Sequence, residues 1–138
     1  MALQFSTKAG TLASLQGRLG SARIAPLLWF TVGDWQAGRQ ACLRDVRGRL
    51  GDGSWIVRSS CLREDGTQTS GAGAFLSLAD VDEAGLESAI EQVIASYGDA
   101  QPADEVLIQP MLKHVLRSAV AFSHDPNTCA AYRVINLS

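Results

Sequence analysis

The run Arg58-Ser59-Ser60, followed by the acidic pair Glu64-Asp65 and by a loop containing Gly66, Gly71 and Gly73, has the ingredients of a phosphate site. Arginine presents a planar fork of donors to phosphate, and glycines let backbone amides approach it closely. The plain alternative is that Arg58 pairs with Glu64 or Asp65 while the serines and glycines only turn the chain. No Gly-x-x-x-x-Gly-Lys-Ser/Thr occurs anywhere, so this is not a P-loop, nor is it a dinucleotide fingerprint. Cys42, Cys61 and Cys129 are odd in number and widely spaced, without a Cys-x-x-Cys pair, and read as reduced structural thiols. His114 and His124 stand at no metal-ligand spacing from a cysteine or from each other, so a His/Cys metal site is not expected.

The elements that must position these groups follow from periodicity and breakers. Leu12, Leu15 and Leu19 recur at helical spacing and predict a helix over Lys8–Leu19, capped by Ser6 or Thr7 and stopped at Gly20. Ile24–Thr31 reads as extended, since Pro26 resists helix. Asp34 is a natural N-cap for a second helix reaching Leu50, with Trp35, Leu43, Val46 and Leu50 inward and Gly51-Asp52-Gly53 ending it. Ser54–Ser60 has the content of a strand, Glu64–Gly73 that of a loop, and Ala74–Leu78 that of a strand again. The clearest helix is Asp82–Tyr97, with Leu86, Ile90, Val93, Ile94 and Tyr97 on one stripe and Gly98 just beyond. Val106–Gln109, Val115–Phe122 and Ala131–Leu137 then read as strands, the last two joined by a turn at His124-Asp125-Pro126-Asn127. The order predicts one α+β domain over 1–138, with a mixed or antiparallel sheet.

Composition narrows the function classes. A length of 138 residues with 46% hydrophobic and 19% charged residues suits a single globular domain with its own core. A net charge of −2 and a pI near 5.6 give no basic field for sequence-independent nucleic-acid binding. The longest apolar stretch, Ile24–Phe30, is far below the roughly 20 residues that span a bilayer. The first residues lack the pattern of a secretory signal, so a cytoplasmic location is the expectation.

Taken together, the residues resemble a known family. Ile56-Val57-Arg58-Ser59-Ser60-Cys61-Leu62-Arg63-Glu64-Asp65, continuing to Ser70-Gly71-Ala72-Gly73, is similar to the "VRSSA..ED....S.AG" stretch of pyruvate phosphate dikinases and phosphoenolpyruvate synthases. Val106–Leu112, then Ser118–Phe122 and Asp125-Pro126, resembles that family's "V.VQ.MV......SGV.F..DP.TG" stretch at the same separation. Ser6–Leu12 resembles its "GGKG.NL" lysine segment, followed by a proline and "F.(V/I)T" at Pro26, Phe30 and Thr31. Cys61, Ala119, Cys129 and Thr7 depart from the pattern, where the family has alanine, glycine, glycine and glycine.

The resemblance implies the first lobe of an ATP-grasp domain, with helices packed on one face of its sheet. A second lobe, whose carboxylates hold Mg2+, would be missing, as would the domain whose histidine accepts a phosphoryl group. Lys8 and Arg58 match the lysine and arginine that grip the phosphates of ATP and would be the catalytic residues. Gly73 matches the loop glycine beside the phosphates, and Ser77 stands where relatives have threonine. Gln109, Met111 and Leu112 match the segment that meets adenine. Each has a plain alternative: Lys8 as a first-turn helix residue, Ser77 and Gln109 as ordinary strand positions, Met111 as core. His124 is not the phosphoryl acceptor, because the family's acceptor lies in another domain.

The expected function is therefore that of an ATP-binding lobe of a phosphoenolpyruvate synthase-like phosphotransferase. It would position ATP for transfer to a histidine elsewhere, with pyruvate as final acceptor, and would be inactive alone. Its partners would be ATP and the remaining domains, with neither nucleic acid nor membrane. The segment Lys113–Arg117 is also compatible with a branch using glucans or antibiotics as acceptors. The alternative is a stand-alone interaction or regulatory module that keeps the fold of the lobe.

Overall fold

The computed structural model describes residues 5–62 and 75–138. In chain order its elements are α1 (Lys8–Leu15), β1 (Leu28–Thr31), α2 (Val32–Ala37), α3 (Arg39–Leu50), β2 (Trp55–Ser60), β3 (Ser77–Val81), α4 (Leu86–Ser96), β4 (Glu105–Pro110), β5 (Ala119–Phe122) and β6 (Val134–Leu137). Strands β1, β4, β2 and β3 form one sheet in that spatial order, with every pair antiparallel. The protein is thus α+β with antiparallel sheets. β4, the last of the four in sequence, lies between β1 and β2, which explains its nearly continuous burial. No helix among the described residues is long and apolar enough to cross a membrane.

Side chains of directly paired antiparallel residues share a face, and alternate residues take opposite faces. The register pairs Leu28 with Ile108, Phe30 with Val106, Val57 with Ile108 and Trp55 with Val81. That face is the core. Trp35, Leu43 and Val46 from α2 and α3, and Leu86, Ala89, Ile90 and Val93 from α4, bury against it. Phe30 stacks on Trp35 with ring centroids 5.8 Å apart. Arg39 ties the layer together, since its guanidinium lies over the Trp35 ring and bonds Glu91, which also accepts the Trp35 Nε1 proton. The opposite face carries Arg58, Leu107 and Ser77 in one cross-strand row, with Ile56 and Gln109 paired beside it.

Several elements differ from the expectation. The helix expected over 34–50 is two helices broken at Gly38, and its cap is Thr31 rather than Asp34. Thr31 Oγ1 accepts from Asp34 N while Asp34 Oδ2 accepts from Thr31 N, a reciprocal box in which Asp34 is the third helical residue. The last long helix begins at Leu86 instead of Asp82, whose carboxylate accepts from Gly85 N and caps a preceding turn. α1 ends at Leu15, well before Gly20, and its buried residue is Ala9 rather than the leucines. It lies on the Arg58 side of the sheet, so the helices occupy both faces and not one.

At the C-terminal end the expected strand over 115–122 shortens to β5, because β6 offers partners only to Ala119–Phe122. The bonds between Ser118 and Ser138 close this ladder. The turn expected at 124–127 is present, with Asp125 Oδ1 accepting from Asn127 N and Thr128 N. Val120, Phe122, Ile135 and Leu137 of this hairpin are exposed.

Candidate functional site

The N-terminal turn of α1 is tied to the end of β2. Thr7 caps the helix by accepting from Gly10 N at 3.0 Å, and Ser6 N donates to Thr11 Oγ1. A Cβ at Gly10 would stand 2.3 Å from Ser6 Oγ, so a larger residue there would require the exposed Ser6 side chain to turn away. One turn on, Ala9 N donates to Ser60 Oγ at 2.9 Å and Lys8 Nζ donates to the Ser59 carbonyl at 3.0 Å. Ser60 is itself held from behind. Its amide donates to Tyr97 Oη, which donates to the Glu105 carbonyl, and its hydroxyl reaches Glu105 Oε1. The lysine position therefore depends on groups from β2, α4 and β4.

Arg58 projects from the middle of β2 on the same side. Its Nη1 donates to Gln109 Oε1 at 3.3 Å across the β2–β4 pair. Its Nε is buried with no hydrogen-bond partner among the described residues. A buried, unpaired guanidinium nitrogen is costly unless a ligand or solvent satisfies it. Two hollows meet at this side chain. One, of about 410 Å³, is lined by Phe5, Ser6, Lys8, Thr11, Leu12 and Arg58. The other, of about 350 Å³, is mostly apolar, with Ala25, Ile56, Pro110, Met111, Leu112 and Val115 around Arg58 and Gln109. A cation-edged hollow next to an apolar one suits a ligand that is anionic at one end and flat and apolar at the other.

Of the residues singled out in the sequence, the structure brings together Lys8, Arg58, Gln109, Met111 and Leu112. Ser77 pairs with Arg58 in register and is exposed, but lines neither hollow. Gly73 lies outside the described residues, as do Glu64 and Asp65, the alternative partners of Arg58. His124 sits in the exposed hairpin turn beside Ser123. In the sequence Ser60 belongs to the candidate phosphate run or merely turns the chain, whereas in the structure its hydroxyl accepts the Ala9 amide of α1. Its partners Ala9 and Glu105 are remote in sequence, and no local pattern announces such a contact. Ala25 and Val115 likewise gave no chemical signal before the fold placed them at the apolar hollow. Among the described residues no group of three or more His, Cys, Asp or Glu is arranged to hold a metal ion. Comparison with protein-family models, with curated proteins and with solved structures finds no match.

Proposed function

We propose that this chain is the ATP-binding first lobe of an ATP-grasp phosphotransferase similar to phosphoenolpyruvate synthases and pyruvate phosphate dikinases. The observation that carries the reading is Arg58, which lines both hollows and has a buried Nε with no hydrogen-bond partner among the described residues. Phosphates bound beside Lys8 and Arg58 would accept charge-assisted hydrogen bonds from both, worth more than neutral ones. Gln109 holds one arm of the guanidinium, which orients the fork for hydrogen bonds to phosphate oxygens. Adenine would lie between Ile56, Met111 and Leu112, in the apolar hollow. Magnesium, when bound with ATP, supplies further charge neutralisation; the described residues do not by themselves build its site. The work of Lys8 and Arg58 is then positioning and electrostatic stabilisation of a phosphoryl group passed to a histidine elsewhere, with pyruvate as the proposed final acceptor.

Titration of the 15N-labelled chain with ATP and magnesium tests this. The expected result is weak binding, because a one-sided cleft covers only part of the ligand. Shifts should centre on Lys8, Arg58 and Met111, and no ATP should be consumed. Arg58→Ala and Lys8→Ala should each weaken binding by about tenfold, the equivalent of one charge-assisted hydrogen bond of roughly 1.4 kcal/mol. Unchanged affinity in both variants, or steady ATP turnover abolished by Lys8→Ala, would defeat the reading. A second reading, an interaction module that keeps the lobe's fold, draws on the exposed apolar side chains of the β5–β6 hairpin. It predicts that Phe122→Ser abolishes a protein contact while nucleotide never binds.

A further inference from the structure

β1 is an edge of the main sheet, and among the described residues no strand pairs with its outer side. Backbone groups of an edge strand alternate between the ladder and the open side. Val32 N turns inward to the Asp104 carbonyl, whereas Thr31 N turns outward and is taken by Asp34 Oδ2. By the same alternation the amide and carbonyl of Trp29 face outward, and the residue is 41% exposed. Alongside runs a groove of about 480 Å³ between β1 and the α2–α3 elbow. Its polar walls are Asp34, Asp45 and Arg49, two carboxylates to one guanidinium, and Cys42 lies in its floor. Asp45 has no ion-pair partner among the described residues. The Cys42 thiol is pushed up by burial and then by the carboxylates of Asp34 and Asp45.

We propose that the outer edge of β1, with the groove it shares with α2 and α3, is a strand-addition site for an extended peptide segment bearing a basic side chain. The peptide backbone would pair with Trp29, as exposed sheet edges accept added strands. Its basic side chain would enter the groove towards Asp45, which selects charge. Small residues at Ala37, Gly38 and Ala41 leave room for that side chain to pass. The occupant is separate from any nucleotide, because Lys8 and Arg58 lie on the opposite face of the sheet from this groove.

The test uses the full chain, 15N-labelled, and capped synthetic heptapeptides Thr-Val-Thr-X-Thr-Val-Thr with X as arginine or glutamate. The arginine peptide is expected to shift the Trp29 and Asp45 amides and slow exchange of the Trp29 amide. It should bind about threefold tighter than the glutamate peptide, the size of one partly exposed ion pair. Asp45→Asn should erase that preference, and N-methylation of the peptide backbone should abolish binding. Trp29→Pro removes the outward amide, which edge strands tolerate, along with an indole that lines the groove, and should also abolish binding, whereas Trp29→Ala, which keeps the amide, should not. If the proline variant does not fold, the N-methylated peptide supplies the same contrast. Equal binding of both peptides, no binding at millimolar concentration, or shifts confined to the Arg58 side would overturn the proposal. So would a concentration-dependent shift of Trp29 without peptide, which would make a second copy the occupant.

Discussion

Cys129 adopts a backbone φ of +57°, in the left-handed region that favours glycine, within the turn whose Asp125 carbonyl accepts its amide. The side chain is exposed, so it buries nothing in return for that strain. The resemblance has glycine at this position, and the geometry supplies a physical reason for one. Cys129→Gly is expected to raise stability by about 1 kcal/mol, within the range that a left-handed non-glycine residue costs. Urea denaturation would measure it, and a loss of stability would show that the thiol makes a contact that matters. At this scale the sequence was informative where a side chain acts through its own type. Arg58 could be singled out because a guanidinium is a fork of donors whatever its neighbours, although the sequence left a phosphate or the carboxylates of Glu64 and Asp65 as its partner. The role of Ser60 could not, because it is a hydrogen bond to Ala9 N across 51 positions.

Elements were legible in proportion to how completely one face is apolar. α4 was the clearest in the sequence and its inner positions Leu86, Ile90 and Val93 are fully buried. The α2–α3 pair was misread as one helix, since residues on both sides of Gly38 keep inward-facing apolar side chains and periodicity alone gives no break. The start was misread for a related reason: Asp34 is a good cap by type, but Thr31 three residues earlier forms the reciprocal box with it. Thr31→Ala is therefore expected to destabilise the protein by about 1 kcal/mol, as loss of an N-cap does. Asp34 would lose one of its two box bonds in the same variant. An unchanged midpoint in urea would mean that the turn between β1 and α2 is set by packing of Val32 and Trp35 instead. The strand expected from Val115 failed for want of a partner, since strand propensity marks what can pair and not what does.

Across the whole molecule, the central place of β4 means that the sheet is completed by a strand more than 40 residues from β2 and more than 70 from β1. The α+β class was readable from element order, but the strand order was not, because nothing local tells β4 to enter between two earlier strands. The same arrangement distributes the candidate site unevenly. Arg58 and Gln109 sit on paired central strands, whereas Lys8 rides on α1, whose one fully buried residue is Ala9, whose Thr11–Leu15 stretch is half-buried, and whose hydrogen bonds to the sheet described above come from Lys8 and Ala9. A helix held so lightly opens locally at less free energy than the sheet beneath it. Amide hydrogens of Thr11–Leu15 should accordingly exchange well ahead of those of Val57 and Ile108. ATP at ten times its dissociation constant would slow exchange through openings that release the ligand by about tenfold, roughly 1.4 kcal/mol of linkage. Exchange in α1 as slow as in β4 before any ligand is added would show the helix to be part of the rigid frame. If the difference is found, nucleotide affinity includes the work of keeping α1 docked, and a variant that only loosens Ala9 would weaken binding without touching a single ligand atom.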